Sequence, residues 1–552
     1  MLHFAVFDDN GPATEWPLRH AYAFGPDDVP VQADILFENG CIRCVKSTDA
    51  AAGIALQFDL DHMVQTESGL DKLGCMTLHT CLLPDRDQPY LLSLELARRR
   101  IMTFLNKLED WGLFDLSPDD PVMQMFERAR QAFTDALVAH RNGDGGFSPE
   151  ADKLARRALA IAVDAGERLA VLDAHHDLPP RVRGEIYRSA AEHYQRVHSE
   201  PPPPDAPVIV PSITGVVLPT RPMVGCAVNP AIMNESLQKI IVDSCDFISL
   251  PMRWSAMEPS EERYSFADTD RWIEWAYRTA KIPILGGPVI EFRPTCVPEW
   301  LYIWENDYET LRELVYEHVK SVVTRYRRTI RRWTIASGLH VNNNFKLSFE
   351  QMMDLTRVAV LVVRKLHPQA KVQLELTQPW GEYYSSNRRA LPPLLYADML
   401  IQSGVKVDVI GIRLQMGQHQ PGQSVRDLMS ISSMLDRFAQ FERPIAVTAL
   451  GAPSSPQPDR DDAPNPGHWR QPWSPEVQAE WLQQVVSICL SKPYMHSVCW
   501  QELADSPNSD EMPNGGLLDA SGAPKPALAA LSRIRHAIRG GQAPSVSARA
   551  GV

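Results

Sequence analysis

Hydrophobic and polar positions along the chain fall into three regimes. Up to residue 93 the apolar residues come in short runs, as in Ala33-Asp34-Ile35-Leu36-Phe37, Ile54-Ala55-Leu56-Gln57-Phe58 and Met76-Thr77-Leu78-His79-Thr80-Cys81-Leu82. Turn residues separate them, and this spacing predicts an antiparallel β-sandwich over 1–93. From 94 to 200 the period lengthens. LELARRRIMTFLNKLEDWGLF, PVMQMFERARQAFTDALVAH and SPEADKLARRALAIAVDAGERLAVLDAHH carry apolar residues three and four apart, which predicts a small helical bundle. Pro201-Pro202-Pro203-Pro204-Asp205-Ala206-Pro207 cannot continue a helix, so 201–212 reads as a stiff extended linker.

Beyond the linker, strands and helices alternate. The predicted strands are Pro222–Val228, Phe247–Trp254, Ile282–Phe292, Ile330–Ser337, Lys371–Thr377, Val407–Gln415, Pro444–Leu450 and Ser497–Glu502. Amphipathic stretches such as DYETLRELVYEHVKSVVTRYRR and SPEVQAEWLQQVVSICLSK lie between them. Eight such units in about 320 residues fit an α/β fold closed into a (β/α)8 TIM barrel over 213–535. Without a Gly-rich phosphate turn, a doubly wound open sheet fits less well. The proline-rich stretch 452–475 reads as a long surface loop, and the Ala/Ser/Gly-rich end, 536–552, as a disordered tail.

Composition narrows the function classes. The chain has 552 residues, 44% hydrophobic and 22% charged, as expected of a folded multidomain protein. Lys and Arg number 55 against 68 Asp and Glu, a net charge of −13, which argues against nucleic acid or an anionic membrane as partner. No apolar run approaches the roughly 20 residues of a membrane span. MLHFAVFDDN lacks a basic n-region and an apolar h-region, so the expected location is the cytoplasm. Nine cysteines in a chain of this length do not suggest a disulfide framework. Cys41-Ile42-Arg43-Cys44 with Cys75, His79 and Cys81 has elements of a zinc site, but the flanking strands favour cysteines in a sheet core.

Several landmarks together resemble glycoside hydrolase family 10, whose members are chiefly endo-β-1,4-xylanases. Met252-Arg253-Trp254, Glu258-Pro259 and Tyr264-Ser265-Phe266 are similar to its "M-K-W…E-P…G-x-F-x-F" segment. Ile284-Leu285-Gly286-Gly287 to Pro298-Glu299-Trp300 resembles "V-R-G-H-x-L-V-W…P-x-W", and Trp333 to Gly338 resembles "W-D-V-V-N-E". Ile410-Gly411-Ile412 with Gln415 resembles "I-G-x-Q". Ser497-Val498-Cys499-Trp500, Gly516-Leu517-Leu518-Asp519 and Pro524-Lys525-Pro526-Ala527 resemble the closing segment.

The resemblance implies β-1,4-xylan or a related glycan as ligand, O-glycosyl hydrolysis as the ancestral reaction, and no cofactor or metal. It also exposes two substitutions. The acid/base glutamate of "N-E" is matched by Gly338, and the nucleophile of "I-T-E" by Ala449 in Val447-Thr448-Ala449. A retaining glycosidase needs both carboxyls, about 5–5.5 Å apart. Two readings therefore stay open. Either strand-end carboxylates (Glu291, Glu375, Glu502) form a relocated catalytic pair, or the barrel is a carbohydrate-binding pseudoenzyme or scaffold. Arg253, Trp254, Trp380, Gln415 and Trp500 are the candidate substrate-binding residues, because sugar faces stack on indoles and hydroxyls seek Arg and Gln.

Overall fold

A computed structural model describes residues 1–8, 11–60, 72–141, 147–341, 344–387, 389–457, 464–506 and 512–544. Eight parallel strands close into a barrel: β1 (Met223–Ala227), β2 (Phe247–Leu250), β3 (Ile284–Gly286, resumed at Ile290–Glu291), β4 (Arg332–Ser337), β5 (Lys371–Leu376), β6 (Val409–Gln415), β7 (Ile445–Gly451) and β8 (Met495–Trp500). β8 pairs with both β7 and β1, which completes the circle. Every residue of β2 and of β6 is buried, as expected where helices cover one face of a strand and the barrel core the other. The last helix, Pro526–Arg539, runs past 535, and 545–552 lie outside the described residues.

The first 93 residues supply two sheets, antiparallel except that Tyr90–Leu91 runs parallel to Leu2–Ala5. One joins Tyr90–Leu91, Leu2–Ala5, Cys41–Lys46 and Ala33–Glu38; the other joins Gly74–His79, Gly53–Asp59, Tyr22–Phe24 and Pro30–Val31. In Cys41–Lys46 the alternation turns Ile42 and Cys44 inward. The second sheet gains a fifth strand from far along the chain. His468–Trp469, in the segment after β7, pairs antiparallel with Gly74–Cys75. Gly74 has φ +92°, and a Cβ there would collide with the His468 carbonyl, so this junction requires glycine.

Four helices follow: α1 (Leu92–Asp110), α2 (Pro121–Arg141), α3 (Pro149–Val182) and α4 (Glu185–His198). Ser148 caps α3 by accepting the Ala151 N–H. The helix packs on α1 and α2 on one side and on two barrel helices, α5 (Leu428–Ala439) and α6 (Pro475–Ser491), on the other. One buried cluster accordingly holds Leu56 of the sheets, Leu159 and Val163 of α3, and Ile431, Leu435 and Trp469 of the barrel. The linker region contributes Val208–Ile209 to a two-stranded ribbon with Val216–Val217.

Ion pairs reinforce this packing. Arg100 of α1 binds Asp427 at 2.9 Å, both nearly inaccessible. Glu167 of α3 accepts from the Trp469 indole at 2.8 Å and from Arg470 at 3.1 Å. All nine cysteines are free thiols. Among the described residues no three His, Cys, Asp or Glu gather as a metal site, and no helix is long and apolar enough to cross a membrane.

Candidate active site

The C-terminal ends of the barrel strands surround a cavity of about 310 Å³. Its floor comes from β4 to β7, through Thr334, Glu375, Arg413, Thr448 and Ala449. Its walls come from the segments after β1, β2, β3 and β8, including Asn229, Arg253, Glu291, Arg293 and Glu502. No described residue from the segments after β5, β6 and β7 lines it. Those segments hold the N-terminal sheets instead. Thr77 donates its N–H to the Val425 carbonyl (2.8 Å) and its hydroxyl to Ser424 (2.9 Å), and the Gln57 amide donates to the Asn465 carbonyl at 3.0 Å. Among the described residues, the cavity walls therefore come from one side of the barrel, and the sheets cover segments on the other.

Two of the three candidate carboxylates meet on one arginine. Arg413 Nη2 donates to Glu375 Oε1 at 2.9 Å and lies 3.3 Å from Glu291 Oε1. Both oxygens sit on one nitrogen, so they cannot be further apart than those two distances combined, a bound that includes the spacing of about 5–5.5 Å used by retaining glycosidases. Glu375 Oε1 also accepts from Ser337 Oγ at 2.6 Å and from Arg413 Nε at 3.1 Å. Glu291 Oε1 accepts from Arg293 Nε at 2.5 Å, and its Oε2 faces the Cys296 thiol at 3.4 Å. Two carboxylates and two guanidiniums thus form a charge-balanced, largely buried cluster across the ends of β3, β5 and β6. Glu502 lines the same cavity from the β8 side and is partly exposed.

The aromatic candidates lie elsewhere. Trp254 is 1% exposed, stacked on His318 with ring centres 4.2 Å apart, and its indole N–H donates to Glu258 at 2.8 Å. Burial pushes the Glu258 carboxyl up, but hydrogen bonds from His318, Trp254 and Tyr264 outweigh it and hold the group below the usual carboxylate range. Trp500 is fully buried and donates to the Gly515 carbonyl at 2.8 Å. Trp380 is buried beneath the Arg426 guanidinium, 5.0 Å from the ring centre, and Arg426 is itself paired with Glu382. An enclosed indole offers no face to a sugar, so these three rings are core rather than stacking platforms. Gln415 is buried and donates to Gln501 at 2.6 Å; Gln501, not Gln415, reaches the cavity wall. Of the five substrate-binding candidates only Arg253 lines the cavity, and no described lining residue is aromatic.

His340, one residue beyond the strand-4 turn, is fully buried against Tyr396, bonds the Thr377 carbonyl at 2.9 Å, and is pushed down to about 4 by burial. Asp505 pairs with Lys525 at 2.6 Å. Both serve packing. Asn344 donates to the Tyr302 hydroxyl at 2.7 Å, whereas Asn342 and Asn343 lie outside the described residues.

Residues 217–534, more than half of the chain, match the family described as "Glycosyl hydrolase family 10". The chain belongs to glycoside hydrolase family 10. Among curated relatives it is similar to endo-1,4-beta-xylanase 3 of Hypocrea jecorina, 22% identical over 311 residues, covering 55% of this chain and 78% of the relative. It is also similar to endo-1,4-beta-xylanase B of Thermotoga neapolitana, 21% identical over 253 residues, covering 45% of this chain and 66% of the relative. Among solved structures, native xylanase 10B from Thermotoga maritima matches with a TM-score of 0.44 at 18% identity, over 57% of this chain and 95% of that one.

The two positions that the sequence resemblance sets against the catalytic glutamates, Gly338 and Ala449, are small. Ala449 presents a methyl group to the cavity floor. Gly338 has φ +59°, and a Cβ there would sit 3.0 Å from the Thr377 hydroxyl. Arg413 is the central site residue that sequence reasoning missed, with Arg293, Asn229 and Gln501 beside it. The signal was present: in "I-G-x-Q", Ile410-Gly411 sets the fourth place at 413, not 415.

Proposed function

We propose that this family 10 barrel binds xylan-type oligosaccharides by a chain end and does not cleave them. The observation that carries this reading is the sharing of Arg413 by Glu291 and Glu375. A nucleophilic carboxylate must turn a lone pair to the anomeric carbon, and an acid must hold a proton toward the leaving oxygen. Here Glu375 Oε1 already accepts three hydrogen bonds, and Glu291 Oε1 binds two guanidiniums. Gly338 and Ala449 supply no carboxyl where the family motifs have glutamate. Sheets covering the segments after β6 and β7, with described walls only after β1, β2, β3 and β8, support recognition of a chain end rather than of a polymer lying across the barrel. In it, Arg253, Asn229, Gln501 and Glu502 offer donors and acceptors for hydroxyl groups.

A second reading, hydrolysis by a relocated pair, is favoured by the short separation of Glu291 and Glu375. Calorimetric titration of xylo-oligosaccharides into the whole chain, with product analysis of the same samples, separates the two. Saturable binding with intact oligosaccharide recovered supports the binding role. Product formation that disappears in Glu291→Gln and Glu375→Gln overturns it in favour of the relocated pair.

A further inference from the structure

The opposite end of the barrel holds a larger cavity, about 1060 Å³, lined by the starts of β4, β5 and β6 and by the linker ribbon. Six of its lining residues are cations: Arg332, Arg357, Arg364, Lys371, Lys406 and Arg443. Three are carboxylates, Asp205, Asp408 and Glu442. Asp408 is already committed, to Arg364 at 2.6 Å and to the Val372 N–H at 2.7 Å. A local excess of positive charge runs against the net charge of −13 for the whole chain.

Arg332, the first residue of β4, makes the imbalance acute. Its guanidinium meets His496 Nδ1 at 2.7 Å and Ser497 Oγ at 3.2 Å, and lies over the Phe247 ring at 5.0 Å. Among the described residues no carboxylate pairs with it. Arg181, 2% exposed, stands behind the same place. It donates to the carbonyls of Leu218 and Met495, and its Nε has no hydrogen-bond partner. Burial holds both arginines down to about 10. His496 is pushed to about 3, by burial first and then by Arg332, Arg181 and Lys371. Within proteins, a desolvated cation is stable when an anion answers it. Among the described residues no carboxylate pairs with Arg332 or Arg181, and the cavity that Arg332 lines is large enough for an anion.

We infer that this cavity is a binding site for a phosphate-bearing small molecule. Planar guanidinium forks and flexible ammonium groups are the pair of donors that grips phosphate oxygens. The cavity is at the upper end of the range for small-molecule sites. Apolar walls from Val216, Leu218, Val360 and Val407 fit an organic body attached to the phosphate. The site is separate from the sugar cavity and does not depend on the reading proposed for it.

The test is calorimetric titration of pyrophosphate, ATP and citrate into the full chain at about 50 mM and about 300 mM salt, since exposed charge pairs are screened at the higher ionic strength. Saturable binding of pyrophosphate or ATP, weakened by salt and tighter than citrate, is expected. Arg332→Gln is expected to weaken it by about tenfold or more, one charge-assisted contact being lost. Because Arg332 is packed into the barrel end, Lys371→Ala and Lys406→Ala serve as a second arm. Both lysines are exposed, so unfolding temperature should stay unchanged while phosphate affinity falls severalfold. Citrate binding as tight as pyrophosphate overturns the phosphate assignment. No saturable binding at millimolar concentration, or affinity unchanged in all three variants, overturns the site.

Discussion

The two ends of the barrel handle buried charge in opposite ways. At the C-terminal end, Glu291 and Glu375 are answered by Arg293 and Arg413 within the chain. At the N-terminal end, Arg332 and Arg181 face His496, a serine and backbone carbonyls. A barrel of this type carries its chemistry at the C-terminal end and stability at the other. Here the end associated with chemistry is internally neutralised, while the other retains unanswered cations. The lesson is that the fold family fixes where a site lies, and the local charge balance decides what it can do.

Removing Arg413 tests the first half of that contrast most severely. Arg413→Leu leaves Glu291 and Glu375 facing each other with one guanidinium fewer, so stability should fall by about 3–5 kcal/mol in denaturant titration, the usual result of breaking a buried pair. A loss below about 1 kcal/mol would mean that solvent, not Arg413, balances the carboxylates.

Acid probes both ends together. His340 near the C-terminal end and His496 at the N-terminal end are buried and lowered to about 4 and about 3, and His20 at the sheet–barrel junction, bonded to the Asn465 carbonyl, is lowered to about 4 by burial. Depressed histidines bind protons in the unfolded chain before the folded one, so stability is intact above their ordinary value of about 6.5 and is lost as pH falls toward about 4. The unfolding temperature should decline steadily across that window, by the equivalent of a few kcal/mol. A flat profile would show that the imidazoles are hydrated.

The junction between sheet and barrel should respond next. Gly74→Ala forces a side chain into left-handed backbone against the His468 carbonyl and is expected to cost about 1–3 kcal/mol or more. If the sheets limit the cavity through that junction, the variant should also admit longer oligosaccharides. The smallest effect concerns the aromatics. Trp500→Phe should lower stability through lost packing and its Gly515 hydrogen bond, yet change oligosaccharide affinity by less than about twofold, since its ring is buried and does not line the cavity.

Much of the barrel was legible because its strands are continuous apolar runs between amphipathic helices, a pattern that survives low sequence identity. The two-residue strand His468–Trp469 was not legible. Nothing local in a proline-rich loop marks a partner nearly 400 positions earlier. The indoles misled for a related reason: Trp254, Trp380 and Trp500 sit beside strand ends, where both a core and a cleft can take an aromatic, and only three-dimensional burial separates them. Glu291, Glu375, Glu502 and Arg253 were located at the cavity by their strand-end positions. The pairing of Glu291 and Glu375 on Arg413 depends on register between β5 and β6, which sequence pattern does not encode.

The most direct test is calorimetry of xylotriose and xylohexaose against the full chain, with chromatography of every mixture after prolonged incubation. The expected result is saturable binding of both, each recovered uncut. Release of shorter sugars, abolished by Glu375→Gln or Glu291→Gln, would contradict it and make the Arg413-linked carboxylates a working catalytic pair.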